Sequence, residues 1–262
     1  MEIERLVAAG HHDRADRALD RLLAGAPDLA AGWHLKGTLA LLRNDAGTAV
    51  RALERAAEFA PHDPAIVSNL GIAHEKAGSV AAARAILEGL VARMPEFAPG
   101  HLNLGVLVRE QGDPEAAITH FRAAVRHQPG YAKAWLELAR TLRGRRRLAE
   151  ALACLAHLGD GPGVCAERAE CERARGDFAA AERSFRTSLA ADPESIPARL
   201  GLGGCLQEQG RLDEALEVYR EVLKRDASAY SAVVKGLAAA AKGRLWLRPR
   251  ELRGALLGPA GG

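Results

Sequence analysis

Aromatic residues are scarce in this chain: phenylalanine, tryptophan and tyrosine together make up 4%. A core filled mainly by rings is therefore excluded, and the packing falls to alanine, leucine and valine. Cysteine is sparse too, with Cys154, Cys165, Cys171 and Cys205 the four in the chain. No two of them form a C-x-x-C pair, so no thiolate metal knuckle or redox motif is spelled out. Their spacing suits small buried hydrophobes in a reducing compartment. No uninterrupted apolar run approaches the ~20 residues of a spanning helix. The opening stretch, MEIERLVAAGHHDRADRALD, is charged throughout and lacks the apolar core of a secretory signal. These absences point to a cytoplasmic protein with no membrane insertion.

An excess of one charge is also missing. Lysine and arginine number 36 against 33 acids, a formal charge of +3. The basic residues are spread among the acids, which gives no reason to expect nucleic acid as a partner. The nine histidines show no ligand spacing joined to cysteines, so no metal site is expected. There is no phosphate loop, nucleophile elbow or H-E-x-x-H, and the carboxylates are scattered. The reading is of a non-catalytic chain without a cofactor. Hydrophobic residues at 48% and charged ones at 26% exclude global disorder.

What is present is a sentence written twice. PAIVSNLGIAHEKAGSVAAARAILEGLVARMPEF (64–97) is followed by APGHLNLGVLVREQGDPEAAITHFRAAVRHQPGY (98–131), each 34 residues long. Asn69-Leu70-Gly71 returns as Asn103-Leu104-Gly105, Gly78 as Gly112, Ala83 as Ala117 and Pro95 as Pro129. A fixed period of this length implies a solenoid, in which no repeat has a core without its neighbours. An alanine early in each second helix extends the register: Ala15, Ala49, Ala83, Ala117 and Ala151 at steps of 34, Ala181 after 30, and Ala215 after 34. The units are a partial one at 1–29, full ones at 30–63, 64–97 and 98–131, an irregular one at 132–161, then 162–195 and 196–229. A terminal helix at 230–243 completes the array 1–243. Residues 244–262 read as a capping helix and tail, with Pro249 in a first turn and Leu252, Leu256 and Leu257 covering the exposed end.

Within each unit the segments before and after the glycine carry apolar residues at helical spacing, as in Leu104, Leu107 and Val108, then Ala117, Phe121 and Ala124. The turn place holds Gly10, Asn44, Gly78, Gly112, Arg146, Gly176 and Gly210. Asn tolerates the left-handed conformation better than most residues, whereas Arg146 is a departure from the pattern. Pro27, Pro61, Pro95, Pro129 and Pro193 close second helices. In the irregular unit the second helix is expected to end near Leu158, before Gly159-Asp160-Gly161-Pro162-Gly163.

Glycine, alanine, aromatic and proline in one register resemble the tetratricopeptide repeat, W-x2-L-G-x2-Y, then A-x3-F, then P. The resemblance runs from residue 1 to about 243. It implies an all-α fold of antiparallel helix pairs stacked as a right-handed superhelical solenoid. The first helices would line a concave groove that takes a protein, an extended peptide or a partner helix. Asn69 and Asn103 occupy a place that faces this groove in the family. They look like the asparagine ladder of O-linked N-acetylglucosamine transferases, in which side-chain amides hold a peptide backbone. The same place elsewhere reads Leu35, Glu137, Glu167 and Gly201. The two-carboxylate clamp for chaperone tails is absent, its lysine-asparagine places reading His34/Thr38, Ser68/Ile72 and Leu102/Val106.

A basic set follows the two copies. Lys133, Arg140 and Arg143 lie on the first helix of the irregular unit, Arg109 one unit before, and Arg145, Arg146 and Arg147 in the turn. The guanidinium fork suits carboxylates, so an acidic guest is one reading. Pairing with Glu110, Glu137 and Glu170 as a solvated charged face is the other. The functional expectation is an adaptor with Asn69, Asn103, Arg109, Lys133, Arg140 and Arg143 in its groove. An accessory module acting in trans beside a glycosyltransferase or sulfotransferase is an alternative. Homo-oligomerisation through the first unit or the Trp246-containing tail is another.

Overall fold

The computed structural model describes residues 2–239 together with Gly254 and Leu256. Among these residues there is no strand. The chain divides into two compact units, Met1–Glu137 and Leu138–Gly262. The first holds α1 (Glu2–Ala8), α2 (His12–Gly25), α3 (Ala30–Leu42), α4 (Ala46–Phe59), α5 (Pro64–Lys76), α6 (Val80–Arg93), α7 (Ala98–Glu110) and α8 (Pro114–His127). Helix α9 (Ala132–Gly144) crosses the division. The second unit continues with α10 (Leu148–Leu155), α11 (Pro162–Arg175), α12 (Phe178–Ala191), α13 (Ile196–Glu208), α14 (Leu212–Arg225), a 3-10 turn at Ala227–Ala229 and α15 (Tyr230–Ala239). Consecutive helices pack as hairpins and first helices touch the next first helix, as in α3 with α5 and α11 with α13. The all-α class of paired helices is thus what the chain forms.

The register alanines explain how the pairs fit. Ala15, Ala49, Ala83, Ala117, Ala151, Ala181 and Ala215 are all wholly buried. Four residues on, one turn later and on the same face, stand Leu19, Leu53, Leu87, Phe121, Leu155, Phe185 and Tyr219, also buried. Each large side chain needs a small one opposite. A Cβ on Gly105 would lie 2.6 Å from the Phe121 ring, and one on Gly203 the same distance from the Tyr219 ring. Carbon atoms prefer about 3.5–4.0 Å, so these places admit glycine only.

The turns match the sequence at every place. Gly10, Gly78, Gly112, Gly176 and Gly210 have positive φ, and so do Asn44 (58°) and Arg146 (61°). Second helices α2, α4, α6, α8 and α12 each end two residues before the expected proline. Asp45, Asp113 and Asp177 cap the following helix, each accepting from a backbone N–H three residues on.

The irregular unit differs from expectation at its end. Helix α10 closes at Leu155 rather than near Leu158. His157 and Leu158 N–H donate to Cys154 and Leu155 carbonyls, so the helix tightens into i→i+3 turns where four residues are missing. Leu256 is buried in the apolar cluster that includes Ala229, Val233 and Leu237. Gly243, Trp246, Pro249, Leu252 and Leu257 lie outside the described residues.

Candidate functional site

In the first unit the helices α3, α5 and α7 carry the asparagine place, and both amides are half-buried. Asn69 Nδ2 lies 2.8 Å from His34 Nε2 and 3.4 Å from Thr38 Oγ1. The Thr38 hydroxyl donates to the His34 carbonyl, which leaves its oxygen to accept. Burial lowers the His34 pKa against a smaller opposing pull from Asp63, which favours the neutral ring as acceptor for the amide. One repeat later, Asn103 Nδ2 donates to Ser68 Oγ at 2.8 Å. Each asparagine therefore ties its first helix to the preceding one through nitrogen. The Oδ1 of each is not used in these bonds.

Arg109, on the last turn of α7, donates to Glu137 at 2.5 Å and lies over the Phe121 ring at 5.7 Å. Lys133 is exposed near the start of α9. The carboxyls of Glu75 and Glu110 share a hydrogen bond. Burial, that bond and the Glu110 charge push Glu75 up to about 7, against Lys76.

In the second unit, Glu167 is 7% exposed and takes Arg143 Nε at 2.5 Å and Arg140 Nε at 3.5 Å. Burial works against the Arg143 charge, but the bond to Glu167 and the charges of Glu167 and Glu170 outweigh it and raise the pKa. Of the basic set, Arg109, Arg140 and Arg143 thus all have a carboxylate partner within their own unit. Glu182 is held likewise by Arg186 and by Arg211.

A feature absent from the sequence reading is a cavity of about 600 Å³ in the first unit. Lys36 of α3, Arg43 just past its end, and Arg51 and Arg55 of α4 line it beside Trp33. Lys36 pairs with Asp20, and Arg43 with Asp13 and Asp16. The signal was available as cations seven apart along α3 and its cap and four apart on α4. All four cysteines are buried and none forms a disulfide, and burial pushes Cys171 and Cys205 up to about 12. Among the described residues no cluster of His, Cys, Asp or Glu could hold a metal ion. None of their helices is long and apolar enough to cross a membrane.

Comparison with protein families identifies tetratricopeptide repeats at residues 40–102, 102–164 and 172–241. The chain belongs to the tetratricopeptide repeat family. No curated protein matches it. The tetratricopeptide protein TTC0263 from Thermus thermophilus is 24% identical at a TM-score of 0.54, over 68% of this chain and 98% of that one. YrrB, described as a tetratricopeptide protein with an unusual peptide-binding site, is 15% identical at 0.60, over 71% and 97%. A chain of the Cut9–Hcn1 hetero-tetramer is 13% identical at 0.69, over 90% of this chain and 48% of that one. These likenesses establish the fold. Tetratricopeptide repeats are protein-interaction scaffolds, and that general role follows for this chain.

Proposed function

We propose that this tetratricopeptide chain is a non-catalytic adaptor that holds an extended peptide along the first helices of its first unit. The observation that supports this most is the way Asn69 and Asn103 are held. Their Nδ2 groups are tied to His34 and Ser68. The carbonyl oxygens are thereby set in fixed orientations on consecutive helices. Two prearranged acceptors suit two backbone N–H groups of a guest and read no side chain. YrrB, with its peptide-binding site, is a structural precedent for the function.

Acidic character in the guest would be selected in this unit by Lys133 and by the Arg109 donors that Glu137 leaves unused. In the second unit Arg140 and Arg143 would contribute only by giving up Glu167, so they rank lower. The test is a selection from a displayed library of random peptides, followed by titration of the best binder. Asn69→Ala with Asn103→Ala should weaken it about tenfold or more, as loss of two hydrogen bonds implies. An unchanged affinity in the folded double variant overturns the asparagine assignment. Unchanged affinity on changing acidic guest residues to their amides overturns the acidic preference.

A further inference from the structure

Near the start of two first helices an indole bolts the chain to the preceding turn. Trp33 Nε1 donates to the Pro27 carbonyl and Trp135 Nε1 to the Pro129 carbonyl, each at 2.8 Å. In the repeat 98–131 His101 holds the same place and makes the same bond, from Nε2 to the Pro95 carbonyl at 2.8 Å. That oxygen can only accept, so Nε2 carries a proton and a neutral His101 keeps its lone pair on Nδ1. Nδ1 lies 3.3 Å from Nδ1 of His120 on α8, which must then be the donor between the two neutral rings. The ring centroids are 5.6 Å apart, and His127 at the end of α8 stacks on His101 at 6.1 Å. The period places Trp33, Val67, Trp135, Cys165 and Arg199 where His101 stands, and Ala18, Ala52, Ile86, Cys154, Ser184 and Val218 where His120 stands. Two facing places thus carry histidine in one and the same repeat, and neither does in any other.

We infer that His101 and His120 form an acid-sensitive latch, which ties α7 to α8 near neutral pH and releases it when both rings are charged. The first proton added is shared, since either ring can then donate to the other. The second leaves two N–H groups facing each other with no acceptor, and two positive charges on adjacent half-buried rings. The surroundings do not relieve this. From α6 come Glu88 and Arg84, bonded to each other at 2.8 Å, and from α8 come Arg126 and His127. From α5 the titrating group that reaches α7 is Glu75, which meets Glu110 at the far end of the helix. Burial is the largest effect lowering both histidines from 6.5, opposed at His101 by the Pro95 bond and at His120 by Glu88. The tie is therefore complete above pH 6.5 and is lost as the pH falls through the lowered values. Asn103 stands on α7 two residues after His101, so the latch would also regulate the first-unit groove. That consequence rests on the asparagine reading, whereas the latch itself does not.

The test is amide hydrogen exchange of the full chain at pH 7 and pH 5, corrected for the intrinsic pH dependence, with α12 and α13 as internal reference. Protection of α7 and α8 should fall about tenfold more than the reference, the order expected of two like charges at this separation in partial contact with solvent. His101→Trp, which restores the indole of the other repeats, should abolish the excess fall, and so should His120→Ile. Glu75 acts alike in all three chains and cancels from the comparison. An excess fall of the same size in either variant overturns the inference, as does its absence from the natural chain. Imidazole titration of the natural chain by NMR needs no variant to fold. His101 and His120 should titrate in two steps separated by roughly one pH unit or more, and coincident independent titrations overturn the latch. A peptide selected for the asparagine groove should bind more weakly at pH 5 than at pH 7 in the natural chain and equally in His101→Trp. Failure of the groove reading would leave the exchange and titration results as they are.

Discussion

The two units solve one packing problem with different chemistry. In Met1–Glu137 the first helices α3, α5 and α7 are joined by neutral amide, hydroxyl and imidazole groups, Asn69 to His34 and Thr38 and Asn103 to Ser68, before an ion pair, Arg109 to Glu137, takes over at α9. In Leu138–Gly262 the first helices α9 and α11 are joined by ion pairs alone among the bonds described above, Arg143 and Arg140 on Glu167. The backbone repeat is indifferent to the choice, because it is held by the alanine and the large side chain one turn later. What differs is what remains for a guest. Neutral struts fixed through nitrogen leave oxygens over. Ion pairs engage both partners with each other.

The largest effect should come from removing a strut of each kind. Glu167→Ala leaves two guanidiniums facing one another. Both are more than a third exposed, so the cost is discounted from that of a fully buried pair to about 1–2 kcal/mol. Asn103→Ala removes one half-buried hydrogen bond, about 0.5–1 kcal/mol. Urea unfolding at low salt and at about 1 M salt tells them apart, since screening acts on charges. The Glu167→Ala loss should change with salt and the Asn103→Ala loss should not. Equal salt responses would break the comparison.

A second contrast is in pH. In the first unit, burial lowers the pKa of His34, His101 and His120 below 6.5. Their contribution to stability is complete above 6.5 and is lost as the pH falls through the folded values. Glu75 runs the other way. Its pKa is raised from 4.5 to about 7, so its contribution is complete below 4.5 and is lost as the pH rises toward 7. The two trends oppose each other between pH 5 and 7. Glu75→Gln removes one of them. The variant should be on the order of 1 kcal/mol more stable at pH 8 and should lose stability more steeply toward pH 5. Trp33 and Trp135 fluorescence in a Trp246→Phe background reports this unit. In the second unit burial would raise the Glu182 pKa, but its three polar partners, Gln209, Arg211 and Arg186, outweigh it and lower the pKa from 4.5. Its contribution is lost only as the pH falls below 4.5, so hydrogen exchange of α12 and α13 should be insensitive to this group from pH 5 to 8.

Much of the fold was legible because it depends on residues that leave a mark on their own. Seven turn places, including the two without glycine, and seven alanines fall where the period puts them. The candidate site was less legible. The pairing of Arg109 with Glu137 and of Arg143 with Glu167 depends on how far a side chain reaches across a repeat, which spacing alone does not state. Gly201 was visible as a gap in the asparagine place. That the Phe185 ring of α12 would fill the space beside it, 2.2 Å from where a Cβ would stand, required the positions of two helices at once. The early end of α10 follows from how four missing residues are absorbed. They came out of the helix rather than the loop.

The smallest effect concerns the two turns without glycine, one in each unit. Asn44 and Arg146 both have φ near +60°. For an ordinary L-residue this conformation costs roughly 1–2 kcal/mol, and for asparagine less, because its short amide can bond locally. Glycine removes that strain but frees the unfolded chain, which takes back about 0.4–1 kcal/mol. Arg146 also donates to the Ala174 carbonyl at 3.4 Å, a length at the weak limit for such a bond. Arg146→Gly should therefore stabilise the protein by about 0.5–1 kcal/mol, while Asn44→Gly should change it by a few tenths at most. A destabilised Arg146→Gly variant in urea unfolding would mean that the arginine does something in this turn that outweighs its backbone strain. In that case the most irregular repeat would hold its most irregular residue for a functional reason.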